Sequence, residues 1–323
     1  MAYRKFSPTR QDHYQDVTDK IVEALEAGIV PWRKGWDNAR CGAPFNATTK
    51  KAYRGINTLL LSLIQMVHGH DDPRWCSYRQ AAARGWQVRK GERGTRVYFY
   101  KQIVRRSADG STSDNDSGDN DRRNTFPLLR AYTVFHASQL DGIPEYVPPE
   151  RGTLPWQKPE AVQTILNHSG VPVHTGGTRA SYIPSRDVIH MPPAEAFGRV
   201  DDWASTALHE LAHATGHPSR LNRDLSGTFG SAHYALEEAK VESAASMICD
   251  VLGIHVDYTN HASYIAGWLA AMREDKRAIF RIATDAQKIA DYVLDLHPDY
   301  VASGHDDGAD GSEGGEDHAA EAG

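Results

Sequence analysis

The chain is 323 residues long and 40% hydrophobic, enough for one large or two medium cores. No apolar run approaches the roughly 18 residues of a membrane span, and the opening MAYRKFSPTRQDHY has no signal-peptide core, so a cytoplasmic protein with no membrane partner is expected. The net charge of −6 conceals a split: residues 1–106 hold 20 Lys and Arg against 9 Asp and Glu, a net of +11, and the remainder 16 against 33, a net of −17. A basic front half on an acidic protein points to a polyanionic partner for that half.

In chain order, DVTDKIVEALEAGI reads as a helix with Val17, Ile21 and Leu25 on one face and Gly28 as its stop. Around it and beyond it, PWRKGW, KKAYRG, RWCSYRQ and GWQVRKGERGTRVYFYK alternate rings with bases. Single-stranded nucleic acid asks for that mixture, cations for phosphates and flat rings for bases. The expected contacts are Trp32, Arg33, Lys34, Trp36, Lys51, Tyr53, Arg54, Trp75, Tyr78, Arg79, Trp86, Arg89, Lys90 and Arg96. The competing reading makes the tryptophans core and the bases a solvated face. No helix-turn-helix or zinc-finger spacing argues for duplex reading.

RGINTLLLSLIQMVHG, from Arg54 to Gly69, is a second, mostly buried helix, and SYRQAAARG a short third. TRVYFYKQIV and LLRAYTVFHASQL are rich in aromatic and β-branched residues and read as two paired strands. Between them, residues 107–125 form an acidic insertion without large apolar residues, expected to be disordered, as is the Asp/Glu/Gly-rich tail 301–323. The proline-rich GIPEYVPPERGTLPW marks a boundary, giving a front domain over 1–147 and a back domain over 148–300. Behind it come a helix from Glu160 to His168, a strand pair over Tyr182 to Met191, and helices to about Leu296. Both halves mix helices with strands, so the class is α+β. Cys41, Cys76 and Cys249 lie far apart and fit reduced thiols, neither a disulfide framework nor a Cys-x-x-Cys zinc site.

The segment WASTALHELAHAT, with Asp201 and Asp202 before it and Gly216 after, is a helix carrying His-Glu-x-x-His. His209 and His213 stand one turn apart on one face, where two neutral imidazoles can bind one zinc ion or another divalent metal such as manganese. Glu210 beside them is the candidate general base. YALEEAKVESAASMICDVLG supplies the third ligand from a second helix. Glu238 is preferred, with Glu242, four residues on, as the group orienting a ligand; the reverse assignment stays open. Glu237 and His217 are further alternatives, His217 standing beyond the helix stop at Gly216. ASYIPSRDVIHMPP could form an edge strand to which an extended peptide adds, or a buried structural strand.

These blocks together resemble the ArdC-type plasmid antirestriction family, whose front domain is shared with TraC-type conjugative primases. The resemblance rests on YQDVTDKIVEALEAG, YRGIN, WCSYRQ and GWQVRKGERGT in front, and on VFHASQLDGIP, YIPSRDVIHMP, HELAHATGHPSRLNR, YALEEAKVES and NHASYIAGWL behind. It implies a front domain binding single-stranded DNA without sequence preference, a back domain of zincin-like metallopeptidase fold, and a role protecting mobile DNA from host restriction enzymes. Ala239 stands where family members often have leucine, and no acidic primase centre is visible in the back half. Two other functions remain: a DNA-tethered protease cleaving DNA-bound proteins, and a replication or priming accessory with a structural metal.

Overall fold

Asp12 opens the first helix, α1 (His13–Glu26), by accepting hydrogen bonds from the Tyr14 and Gln15 amides, a cap worth about 1 kcal/mol. Val17, Ile21 and Leu25 line its inner face, and Gly28, at φ 76°, takes the left-handed conformation that ends it. The structure, a computed structural model, describes residues 12–32, 42–104, 125–147, 158–228, 230–254 and 262–300. The boundary segment after Val147, most of the acidic insertion, the acidic tail, Cys41, and the expected DNA contacts Arg33, Lys34 and Trp36 lie outside the described residues.

The front half continues with β1 (Phe45–Asn46), α2 (Ile56–His68), β2 (Arg74–Ser77), α3 (Tyr78–Ala83), β3 (Gln87–Val88), β4 (Thr95–Val104), β5 (Thr125–His136) and β6 (Leu140–Asp141). A mixed four-stranded sheet runs in the order β1-β2-β5-β4, and β3 pairs separately with β6. The two strands expected from the aromatic stretches are the long antiparallel pair, in register from Thr95 opposite Val134 to Val104 opposite Thr125. The back half adds α4 (Lys158–His168), β7 (Val173–Thr175), β8 (Ser181–Ile183), β9 (Val188–Met191), α5 (Val200–Ala214), α6 (Ala232–Leu252), α7 (Ala262–Glu274) and α8 (Ala278–Leu294). Its small sheet is ordered β7-β9-β8, which makes β8 an edge strand.

The chain is therefore α+β, with a sheet and helices in each of two domains. The back domain packs Ile165, Ile189, Met191, Leu208, Leu211, Ile248 and Ile289 into one core. A smaller front core holds Tyr53, Leu61, Trp75, Val97 and Val134. A third core belongs to both: Ile21, Leu25, Trp32, Ile56 and Leu60 from the front meet Ala239, Trp268, Met272, Ile279 and Phe280 from the back. Burying each large apolar side chain contributes about 1.5–3 kcal/mol, so this junction is a substantial part of the stability. Polar contacts cross it too, with the Thr18 hydroxyl donating to the Lys276 carbonyl at 2.7 Å and the Gly55 amide to Gln287 Oε1 at 3.0 Å. Among the described residues no helix is long and apolar enough to cross a membrane. Cys76 and Cys249 are free and buried, and burial pushes the Cys76 thiol up to about 11.

Candidate metal centre

Three donor atoms converge where α5 crosses α6. His209, His213 and Glu238 each offer one ligand atom, and these lie within 4.8 Å of one another. The helical repeat brings the two imidazoles together on one face, edge to face, with centroids 4.8 Å apart and rings at 80°. Glu238 reaches both from the facing helix: one oxygen lies 3.6 Å from His209 Nε2, the other 3.3 Å from His213 Nε2. Two imidazole nitrogens and a carboxylate oxygen are the donor set of a hydrolytic zinc site that keeps one position open. The opening is there, because all three line a cleft of about 480 Å³ with Glu210, Tyr182, His233 and Tyr234. The residues present thus fit a divalent cation.

Burial by itself would push the Glu238 carboxyl up; the hydrogen bond from His213, the charges of both histidines and the Tyr234 hydroxyl outweigh it and hold the group near 2. His213 is pushed down by burial and pulled up further by Glu238, so its net direction is upward. Glu210 shifts the other way from Glu238. Burial raises it, and the His213 charge and the Tyr182 amide only partly compensate. Two carboxylates in one cleft are thereby shifted in opposite directions, Glu238 down by its histidine partners and Glu210 up by burial.

The remaining expected ligands have other partners. Glu237 accepts from Arg223 Nε at 3.0 Å and Nη2 at 2.8 Å. His217 Nδ1 lies 2.8 Å from the Ser219 hydroxyl. Glu242 is 1% exposed and accepts from the Trp32 indole at 3.2 Å, the ring itself packed edge-on against Trp268.

Sequence reasoning did not single out what holds the two helices in place. Arg223 donates to the Ala212 carbonyl and the Thr215 hydroxyl at the end of α5 while gripping Glu237 on α6. Arg220 similarly donates to the Ala214 carbonyl and pairs with Asp187, which accepts from the Tyr182 hydroxyl. Guanidinium groups at a helix C-terminus satisfy its orphan carbonyls and oppose its dipole. The available signal was two arginines three residues apart just after the helix stop.

The expected DNA contacts divide sharply. Trp32, Tyr53 and Trp75 are at most 3% exposed, enclosed by the cores, and their rings cannot stack on bases. Trp75 is buried because RWCS is strand β2, inside the front sheet, where the sequence suggested a surface block. Trp86 is half-buried against the Leu140 cluster. Arg54 pairs with Asp291, Arg96 with Asp16, and Arg89 with Glu92 and Asp141. Lys51, Tyr78, Arg79 and Lys90 are exposed.

Comparison with known proteins matches residues 11–135 to the N-terminal domain of anti-restriction factor ArdC and residues 160–285 to a zincin-like metallopeptidase family. Two DNA primases TraC of Escherichia coli are 42% and 41% identical over 88% of this chain, which spans only 27% and 20% of their lengths. An uncharacterized protein, y4eC, of Sinorhizobium fredii (strain NBRC 101917 / NGR234) is 42% identical over 88% of this chain and 92% of its own length. Crystal structures of the antirestriction protein ArdC from plasmid R388, metal-free and Mn(II)-bound, are 35% and 37% identical. Both superpose with a TM-score of 0.73 over 90% of this chain and all of theirs.

Proposed function

The chain belongs to the ArdC antirestriction family, and we propose that it protects incoming mobile-element DNA from host restriction by binding single strands with its basic front domain while its back domain carries a divalent metal. The observation behind this is the convergence of His209, His213 and Glu238 in an open cleft, in a chain related to a Mn(II)-bound protein. Zinc or manganese held there would supply Lewis acidity toward a carbonyl or phosphoryl oxygen. Around it the chain's own groups have separate tasks. Glu238 stays anionic and Glu210 takes up a proton at its carboxylate, held in line by the Tyr182 amide.

A second reading, proteolysis of DNA-bound proteins, is favoured by one further observation. Edge strand β8 borders the cleft through Ser181 and Tyr182, where an extended peptide can add to the sheet. Transfer of an unmodified plasmid into a restricting host tests both readings. The wild-type chain should raise transfer, and a chain unable to do so would remove the antirestriction reading. Glu210→Gln separates the two: retained protection means that hydrolysis is dispensable, and protection lost while metal stays bound means that cleavage carries the function.

A further inference from the structure

The cations of the front domain fall into two groups. Arg54, Arg74, Arg89 and Arg96 are each matched by a carboxylate. Lys50, Lys51, Arg79 and Arg84 form no ion pair among the described residues. Neither residues 42–70 nor residues 73–91 contain a single aspartate or glutamate, so every carboxylate that pairs a cation there comes from outside these segments, and none of those reaches these four.

Arg84 lies beside the turn that carries Lys50 and Lys51, and Arg79 is on the same short helix. Strand β2 pairs with β1 and runs directly into α3. Gln80 Oε1 on α3 accepts from Asn46 Nδ2 at 3.1 Å, and one turn later Arg84 Nη2 reaches the Thr48 carbonyl at 3.5 Å. The Gln80–Arg84 face of the helix therefore lies along the turn that carries Lys50 and Lys51. Ala81 points into the core, whereas Arg79, Ala82, Ala83 and Arg84 are exposed and Tyr78 is 53% exposed. This region thus brings four exposed cations, one half-exposed ring and two small side chains onto one short helix and the turn beside it.

We propose that Lys50, Lys51, Tyr78, Arg79 and Arg84 form the surface on which the protein holds single-stranded DNA, phosphates against the four cations and a base against the Tyr78 ring. This rests on the DNA-binding reading above and gives it a location. Six helical residues span only about 9 Å, and Ala82 and Ala83 cannot read base edges, so a duplex groove is a poor fit. A splayed strand needs only charge and a stacking face, and both are free here.

Fluorescence anisotropy of a labelled oligo(dT) of about 20 nucleotides with the full chain, from about 50 to 200 mM salt, tests the assignment. Replacing Lys50, Lys51, Arg79 and Arg84 together by Gln should weaken binding at least about tenfold at the lowest salt. It should also flatten the log–log salt slope by up to about 2.8, about 0.7 per phosphate contact. Tyr78→Ala should weaken binding about 5- to 100-fold with the slope unchanged, and Tyr78→Phe should bind as wild type. Removing as much charge elsewhere, with Lys20, Arg179, Arg186 and Lys288 all changed to Gln, should change affinity less than about threefold. Thermal melting of each variant guards against loss by unfolding, and Arg79→Gln with Arg84→Gln replaces the fourfold variant if that one melts early. Wild-type-like binding by the surface variants overturns the location and leaves the DNA-binding reading standing. A wild-type chain that binds no oligonucleotide overturns both, and tighter binding of oligo(U) than of oligo(dT) overturns DNA as the occupant.

Discussion

At the residue scale, the spacing of His209 and His213 was legible because four residues make one helical turn. The preference for Glu238 among the acids agrees with the structure, but the sequence left the reverse assignment open. Glu238 and Glu242 are themselves one turn apart, and what separates them is Trp32, an indole 210 positions earlier that occupies Glu242. A local pattern holds no trace of such a partner. His136 shows the same dependence on distant context. Its Nδ1 accepts from the Ser138 amide at 3.1 Å, so Nε2 carries the proton and donates to the Asp72 carbonyl at 2.6 Å. Burial, above all, pushes this imidazole down to about 4; the hydrogen bond to the Asp72 carbonyl works against it, and the charge of His70, whose ring lies parallel 4.0 Å away, adds to the lowering. The unfolded chain therefore binds this proton first as pH falls. The stability contributed by neutral His136 is complete above about pH 6.5 and is lost on acidification toward about pH 4. Between about pH 6.5 and 5 the loss should be about 2 kcal/mol, at about 1.4 kcal/mol per unit. Denaturant unfolding of the wild type and His136→Asn across that range measures it: the variant should lack this slope, and identical slopes would contradict the assignment.

At the element scale, the helices were readable from apolar spacing and caps. α1 and α5 fall where the pattern put them, with Asp201 and Asp202 inside the first turn of α5. The short strands were not readable. Arg74–Ser77 is too brief for alternation to register, and its ring and base resemble a surface block until the sheet closes over Trp75. The Arg223 bridge between α5 and α6 was equally hidden, because it consists of one guanidinium in a loop. Arg223 and Glu237 have side chains only 7% exposed, so removing one partner leaves a buried charge behind. Arg223→Ala should cost about 3–5 kcal/mol in urea unfolding. Arg223→Lys should recover part of that without the forked geometry. A loss below about 1 kcal/mol would mean that the pair does not hold the two ligand-bearing helices together.

At the scale of the whole molecule, composition alone divided a basic front from an acidic back, and the proline-rich segment suggested where. It could not reveal that the halves share a core, since the apolar faces of α1 and α2 look alike whether they meet their own sheet or α7 and α8. The junction ties Trp32 to Glu242, one turn from Glu238, so the half proposed to bind DNA is in packing contact with the helix of the candidate metal ligand. The full chain should therefore unfold in one calorimetric transition. The front domain alone, with Ile21, Leu25, Ile56 and Leu60 uncovered, should associate during gel filtration. Two separate transitions, or a monomeric and cooperatively folded front fragment, would show that the domains stand independently. The central claim is the metal held between α5 and α6, and elemental analysis of the purified, metal-repleted protein tests it most directly. One divalent ion per chain in the wild type and in Glu242→Gln, with none in His209→Ala or Glu238→Ala, is the expected result; a metal-free wild type, or a Glu238→Ala variant that keeps its full complement, would contradict it.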